Sequence, residues 1–192
     1  GALNSVTLPR SVRSIGNNAF ANCSGLKSIN IPQGLVGIGN NAFQGCRSLN
    51  AIELPGSITV IGAWAFNGCT ALRSVVIPPG AAVGDNAFQG CSGMTAITLS
   101  GGVSSIGAWV FSDCRSLQSV VIPPGITSIG EAAFARCESL KSLTVPDSLA
   151  VIGDYAFSGC VSLNTIEGVP WRVKVGTGAF QNVPGWRRLS GR

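Results

Sequence analysis

Apolar side chains recur along this chain with a period of 23 residues, far longer than the periods of a single strand or helix. Phe stands at positions 20, 43, 66, 88, 111, 134, 157 and 180. Every interval is 23 except that between Phe66 and Phe88, which is 22. Gly lies four residues before each Phe, from Gly16 to Gly176, and Cys lies three residues after it at 23, 46, 69, 91, 114, 137 and 160. In the eighth unit Val183 takes the Cys place. The unit reads L-x-S-I-x-I-P-x-x-I-x-x-I-G-x-x-A-F-x-x-C-x-x. Self-similarity at constant phase over a whole chain marks a repeat architecture, in which each unit is one coil of a solenoid.

Each segment of the unit predicts a local structure. Leu117 to Pro123 is a short strand in which Leu117, Val120 and Ile122 follow the L-x-x-L-x-L pattern. Pro123 has no amide proton to give and ends it. Ile126 and Ile129 anchor a second extended piece, and Gly130 supplies a tight corner. Ala-Phe-x-x-Cys predicts one helical or 3₁₀ turn that points Phe and Cys inward. The residue after the Gly is often a good helix N-cap, as at Asn17, Asn40, Asp85, Asp154 and Thr177. One such coil cannot bury its own apolar residues, whereas stacked coils bury one another's.

The phrase I-x-x-I-G-x-x-A-F-x-x-C, which runs from Ile126 to Cys137 and again from Ile58 to Cys69, resembles the hallmark of the BspA-like leucine-rich-repeat family. The resemblance covers practically the whole chain. It implies a leucine-rich-repeat solenoid of about eight coils. Short parallel β-strands would form one face, with extended segments and single helical or 3₁₀ turns on the others. It also implies binding of a protein, matrix or host-cell ligand by a curved surface, and a cell-surface or secreted location. It names no ligand.

The repeat makes residues 1–192 a single domain, with coils from Phe20 to Phe180. The fourth unit is one residue short between Pro78 and Gly84. After Phe180, residues 186–190 read as a partial ninth strand with Trp186 in the Leu place. Solenoids need polar terminal caps. None is recognisable in the first unit and at most a degenerate one in the last, so either caps have been removed or a partner covers the ends. The chain begins Gly1-Ala2-Leu3 with no Met, which reads as a piece of a longer protein.

Composition narrows the chemistry. Hydrophobic residues make up 45% of the chain and charged ones 11%, which suits a packed core and argues against disorder. No apolar run approaches the roughly 18 residues of a membrane helix. The net charge of +5 is divided: +4 over residues 1–80, −4 over 81–170 and +5 beyond Trp171. A nucleic-acid binder more usually shows one continuous basic stripe, so no nucleic-acid partner is expected. There is no His, which removes Ser-His-Asp and Cys-His catalysis and His-ligated zinc. The seven Cys recur once per coil without any C-x-x-C pair, and read as packing residues. A disulfide between neighbouring coils would need Cα atoms within roughly 7 Å.

Carboxylates offer no acid–base pair. Glu53 and Glu167 share a strand column five coils apart, about 24 Å at the spacing of stacked strands. That is far beyond the reach of a glycosidase pair. Glu131 and Asp154 lie in the turn column and read as turn caps. Asn22-Cys23-Ser24 fits a glycosylation sequon, but its middle residue is a core Cys. Neither an enzyme nor a cofactor or metal site is expected.

Two surfaces remain for a ligand. Outward positions of the strand face include Lys27, Asn30, Asn50, Glu53, Arg73, Val76, Thr98, Gln118, Val121, Lys141 and Thr144, with a small-residue column of Ser and Ala between them. They are either a plain solvated sheet of good β-formers or a shallow polar groove for a protein or glycan. The second surface is the turn column two residues before each Phe, where Trp64, Trp109 and Tyr155 stand on alternate coils. Facing away from Phe, they are either a docking strip or rings packed across the neighbouring turns' Asn and Ala. The expected function is a non-catalytic protein-interaction scaffold. The alternative is a structural accessory subunit permanently packed in a larger assembly. Size-exclusion of the isolated chain separates them, since a well-behaved monomer favours the free module.

Overall fold

The computed structural model describes residues 3–186, which form one parallel β-solenoid. Strands are numbered in chain order. One face carries β1 (Ser5–Thr7), β3 (Ser28–Asn30), β6 (Ser74–Ile77), β8 (Ala96–Leu99), β10 (Ser119–Val121), β12 (Ser142–Thr144) and β14 (Thr165–Glu167). A second face carries β2 (Ser14–Ile15), β4 (Gly37–Ile38), β5 (Val60–Ile61), β7 (Ala82–Val83), β9 (Ser105–Ile106), β11 (Ser128–Ile129), β13 (Val151–Ile152) and β15 (Lys174–Val175). Every pairing is parallel and joins equivalent residues of successive units, as in Ser5 with Ser28 and Ser119 with Ser142.

The strand pattern follows from the alternation of side chains across a pleat. In β6, Val75 and Ile77 are buried while Ser74 and Val76 are exposed. Leu26, Leu49, Leu72, Met94, Leu117, Leu140 and Leu163 stack as one fully buried rung, each coil covering the next. The Phe rings form a second ladder, with centroids 5.1 to 5.6 Å apart from Phe20 to Phe180 and nearly parallel planes. The core is therefore a set of continuous columns along the solenoid axis.

Irregularities of sequence map to irregularities of the sheets. On the second face the strands divide into two four-stranded sheets between β7 and β9. That division follows the unit shortened between Pro78 and Gly84, where Val60 and Ile61 pair with Ala82 and Val83 at an offset of 22. On the first face residues 51–54 of the third coil adopt no regular strand, although Asn50 still links Lys27 to Arg73 through backbone bonds.

The turn segment corrects one expectation. It is not a helical or 3₁₀ turn. Its residues alternate between two kinds of bond. Ala19, Ala21 and Cys23 donate N–H to the carbonyl three residues back, whereas Asn18, Phe20 and Asn22 donate to Asn40, Ala42 and Gln44 on the next coil. A helix would keep all these bonds within one segment. Here the stacked coils compete for them, and the outcome is a run of tight turns. Accordingly the residues after Gly do not cap a helix. Asn17, Asn40, Asp85 and Asp154 each accept, through Oδ1, an N–H of the following coil.

The ends of the ladders differ from the middle. Val6, Leu8, Val12, Phe20 and Cys23 are only half-buried. At the other end Trp186 stacks on Phe180 with centroids 4.0 Å apart, adding one ring to the Phe ladder. It does this outside any strand, so the expected ninth strand does not begin at Trp186. The rest of that expectation, residues 187–190, lies outside the described residues.

Candidate ligand-binding surfaces

The cysteine ladder shows how the chain spends its reactive groups. Six of the eight Phe carbonyls, from Phe20 to Phe134, accept two bonds. Phe20 takes the N–H of Cys23 at 3.0 Å and the thiol of Cys46, one coil on, at 3.1 Å. The same arrangement carries Cys69, Cys91, Cys114, Cys137 and Cys160. The thiol thus fills the second lone pair of a buried carbonyl, a place that a hydrocarbon side chain would leave unsatisfied. All seven cysteines are free. Burial, with a smaller repulsion from Cys23, pushes the Cys46 thiol up to about 11. Burial likewise pushes Cys69, Cys91, Cys114 and Cys137 well above the ordinary thiol range. Such thiols are poor nucleophiles.

The strand face presents every residue expected on it. Lys27, Asn30, Asn50, Glu53, Arg73, Val76, Thr98, Gln118, Val121, Lys141 and Thr144 are all exposed. Parallel pairing of β6 with β8 and of β10 with β12 sets the residues of those strands in rows across the coils, whereas Glu53 lies in the irregular segment 51–54. The face has an apolar centre, because Val76 is 55% and Val121 67% exposed with Thr98 on the coil between them. Toward the first coils a hollow of about 650 Å³ opens, lined by residues that include Ser5, Ser28, Asn30, Ala51, Glu53 and Gly56. It adjoins the irregular segment 51–54. Residue spacing alone gave no sign of this hollow.

The turn column holds a backbone feature that the spacing did not reveal. Asn18, Asn41, Trp64, Asn86, Trp109, Ala132 and Tyr155 all have φ between 48° and 61°. Gly178 ends the row at 61°. Asn tolerates this left-handed conformation and Gly adopts it freely, but bulky residues rarely do. Trp64 and Tyr155 are exposed, at 39% and 43%, Trp109 is half-buried, and Ala132 has no exposed surface. A Cβ on Gly178 would lie 2.6 Å from Cε1 and 2.7 Å from Cδ1 of Tyr155, so that ring lies across the next coil. Tyr155 therefore both rests on its neighbour and faces solvent.

Two charged contacts join the turns of the fifth and sixth coils, and a third lies within the fifth. Arg136 and Arg115 approach Asp113 at 2.6 and 3.3 Å, and Arg115 approaches Glu138 at 3.5 Å. Such exposed pairs contribute little. Trp171, missed by the column argument because it sits at the exit of the last full strand, is 92% exposed with the Arg172 guanidinium 5.8 Å from its ring centre. Among the described residues no three His, Cys, Asp or Glu side chains come together as a metal site, and no helix is long and apolar enough to cross a membrane.

Comparison with known proteins agrees with this architecture. No curated protein matches the chain. A leucine rich repeat protein of T. pallidum superposes over 100% of this chain and 84% of its own, at 28% identity and a TM-score of 0.70. A leucine-rich repeat protein of Eubacterium ventriosum covers 93% of this chain and 42% of its own, at 25% identity and a TM-score of 0.64. A leucine rich cell surface protein of Faecalibacterium prausnitzii covers 88% and 61%, at 28% identity and a TM-score of 0.50. Residues 2–82 and 79–186 match the BspA type leucine rich repeat region, in six copies. The chain belongs to the BspA-type leucine-rich-repeat family.

Proposed function

We propose that this chain is a non-catalytic scaffold that binds a protein through its strand face. The observation that carries this reading is the exposed pair Val76 and Val121, set among Arg73, Gln118 and Lys141 on the neighbouring parallel sheets β6–β8 and β10–β12–β14 of the first face. Protein interfaces combine an apolar centre with a polar rim that fixes orientation. The same residues would be needlessly sticky on a face that only meets water. The core uses all the thiols that burial holds protonated, so the surface is left to recognise and not to react.

Immobilised wild-type chain and a Val76→Glu/Val121→Glu variant are compared as baits, with retained proteins identified by mass spectrometry. Both substitutions sit on exposed positions and leave the buried rung intact. A protein retained by the wild type and lost by the variant, at an unchanged thermal midpoint, supports the strand face. An identical retained set from both baits, or none from either, overturns it. An isolated chain that aggregates on size-exclusion would favour the structural-subunit reading, whereas a stable monomer fits a free module.

A further inference from the structure

The aromatic turn column lies outside the strand-face reading and does not depend on it. Its residues are held at a backbone conformation that suits Asn and Gly, yet three of the eight positions carry Trp or Tyr. Side-chain packing does not require them, since the same position is filled by Asn at 18, 41 and 86 with the same φ. The rings occur on alternate coils. Successive coils repeat at about 4.8 Å, which places one ring about 10 Å from the next. The Phe ladder beneath them repeats every 5.1 to 5.6 Å, which likewise puts alternate coils a little over 10 Å apart.

The Tyr155 ring lies across the coil beside it. Tyr155 covers Gly178, and Ala132, between Trp109 and Tyr155, is wholly covered. A flat ring on a surface offers its outer face. Polar groups adjoin: Asn86, on the coil between Trp64 and Trp109, donates to Gln89 Oε1 at 3.1 Å, which also receives Asn67 Nδ2 at 3.2 Å. The exposed Asp154, next to Tyr155, spends one carboxylate oxygen on the N–H of Thr177.

Ligand geometry decides between occupants. An extended peptide presents same-face side chains about 6.6 Å apart and does not keep step with rings about 10 Å apart. A helix does so at every second turn, about 10.8 Å, but it docks by laying a continuous apolar face into a hydrophobic groove, and the coil between Trp64 and Trp109 carries Asn86. A polyproline helix repeats every 9.3 Å or so. It seats its prolines in grooves between aromatic side chains, whereas the positions between these rings hold Asn86 and the fully buried Ala132, and Tyr155 lies across Gly178. In an extended β-1,4-linked polysaccharide every second sugar turns the same face outward, and a sugar's C–H face stacks on a flat aromatic ring while its hydroxyls bond to amides and carboxylates.

We propose that Trp64, Trp109 and Tyr155 form a binding strip for an unbranched β-1,4-linked polysaccharide, with the first, third and fifth sugars of a bound stretch stacked on the three rings. The test is calorimetric titration of the whole chain with cellohexaose and chitohexaose, and with the corresponding disaccharides. At least one hexasaccharide binds, at least tenfold more tightly than its disaccharide, because only the longer chain reaches all three rings. Trp64→Asn/Trp109→Asn weakens that binding at least tenfold. Asn is the native occupant of this column on other coils, so the variant keeps the fold, which circular dichroism verifies. Val76→Glu/Val121→Glu, on the strand face, leaves sugar binding unchanged whatever it does to protein partners. Absence of binding to both hexasaccharides, equal affinity of the double Trp variant, or binding of a polyproline peptide in place of the sugars overturns the proposal.

Discussion

At the residue scale, the chain uses each side-chain type for one repeated task. Phe supplies the largest fully buried side chains. Phe88 is fully buried between Phe66 and Phe111, at centroid distances of 5.1 and 5.6 Å. Phe88→Ala should therefore cost about 3–5 kcal/mol, read by urea unfolding, because rigid neighbours above and below cannot collapse into the gap. The thiols predict a pH dependence. Cys46, Cys69, Cys91, Cys114 and Cys137 have folded-state values above the unfolded one, so their contribution is fully present below about pH 8.5 and is lost as pH rises. Unfolded thiols ionise there while the buried ones stay protonated, and for Cys46 the loss runs to about pH 11. Stability measured from pH 7.5 to 10.5 should fall, and fall less steeply in Cys114→Ala. The half-buried Cys23 should be the first thiol alkylated in the native protein.

At the scale of the element, spacing predicted the strands and missed the turns. Leu, Ile and Pro at fixed offsets define a short strand wherever they occur, since alternation and the missing proline amide act locally. The turn is decided by the next coil, which takes the N–H groups of Asn18, Phe20 and Asn22. No single unit contains that information. One signal was nonetheless present: Asn at 18, 41 and 86 shares a column with Gly178, and the two residue types have only the left-handed conformation in common. Close stacking also explains the Gly before each turn from Gly39 to Gly176. A Cβ on Gly130 would stand 2.7 Å from the carbonyl carbon of Gly107, so Gly130→Ala should destabilise by about 1–3 kcal/mol in thermal or urea unfolding. Trp64→Asn, by contrast, exchanges a partly exposed ring for a residue suited to φ 61°, and should change stability by less than about 1 kcal/mol.

At the scale of the molecule, the solenoid separates stability from recognition. Ladders of Leu, Phe and Cys run through the described coils and hold each coil to its neighbours, as nearest-neighbour energetics require. The faces are then free to vary by coil, which is why the repeat alone could place Lys27, Arg73 and Val121 on a face without saying what the face meets. The hollow beside residues 51–54 was illegible for the opposite reason: it arises where one coil departs from the regular strand. Hydrogen exchange on the complex with the protein captured through the strand face tests the account most directly. Slowed exchange confined to the segments around Val76, Thr98, Val121 and Thr144, with the turn column unaffected, is the predicted result. Protection at the turns or the coil ends, with β6, β8, β10 and β12 unchanged, would contradict it.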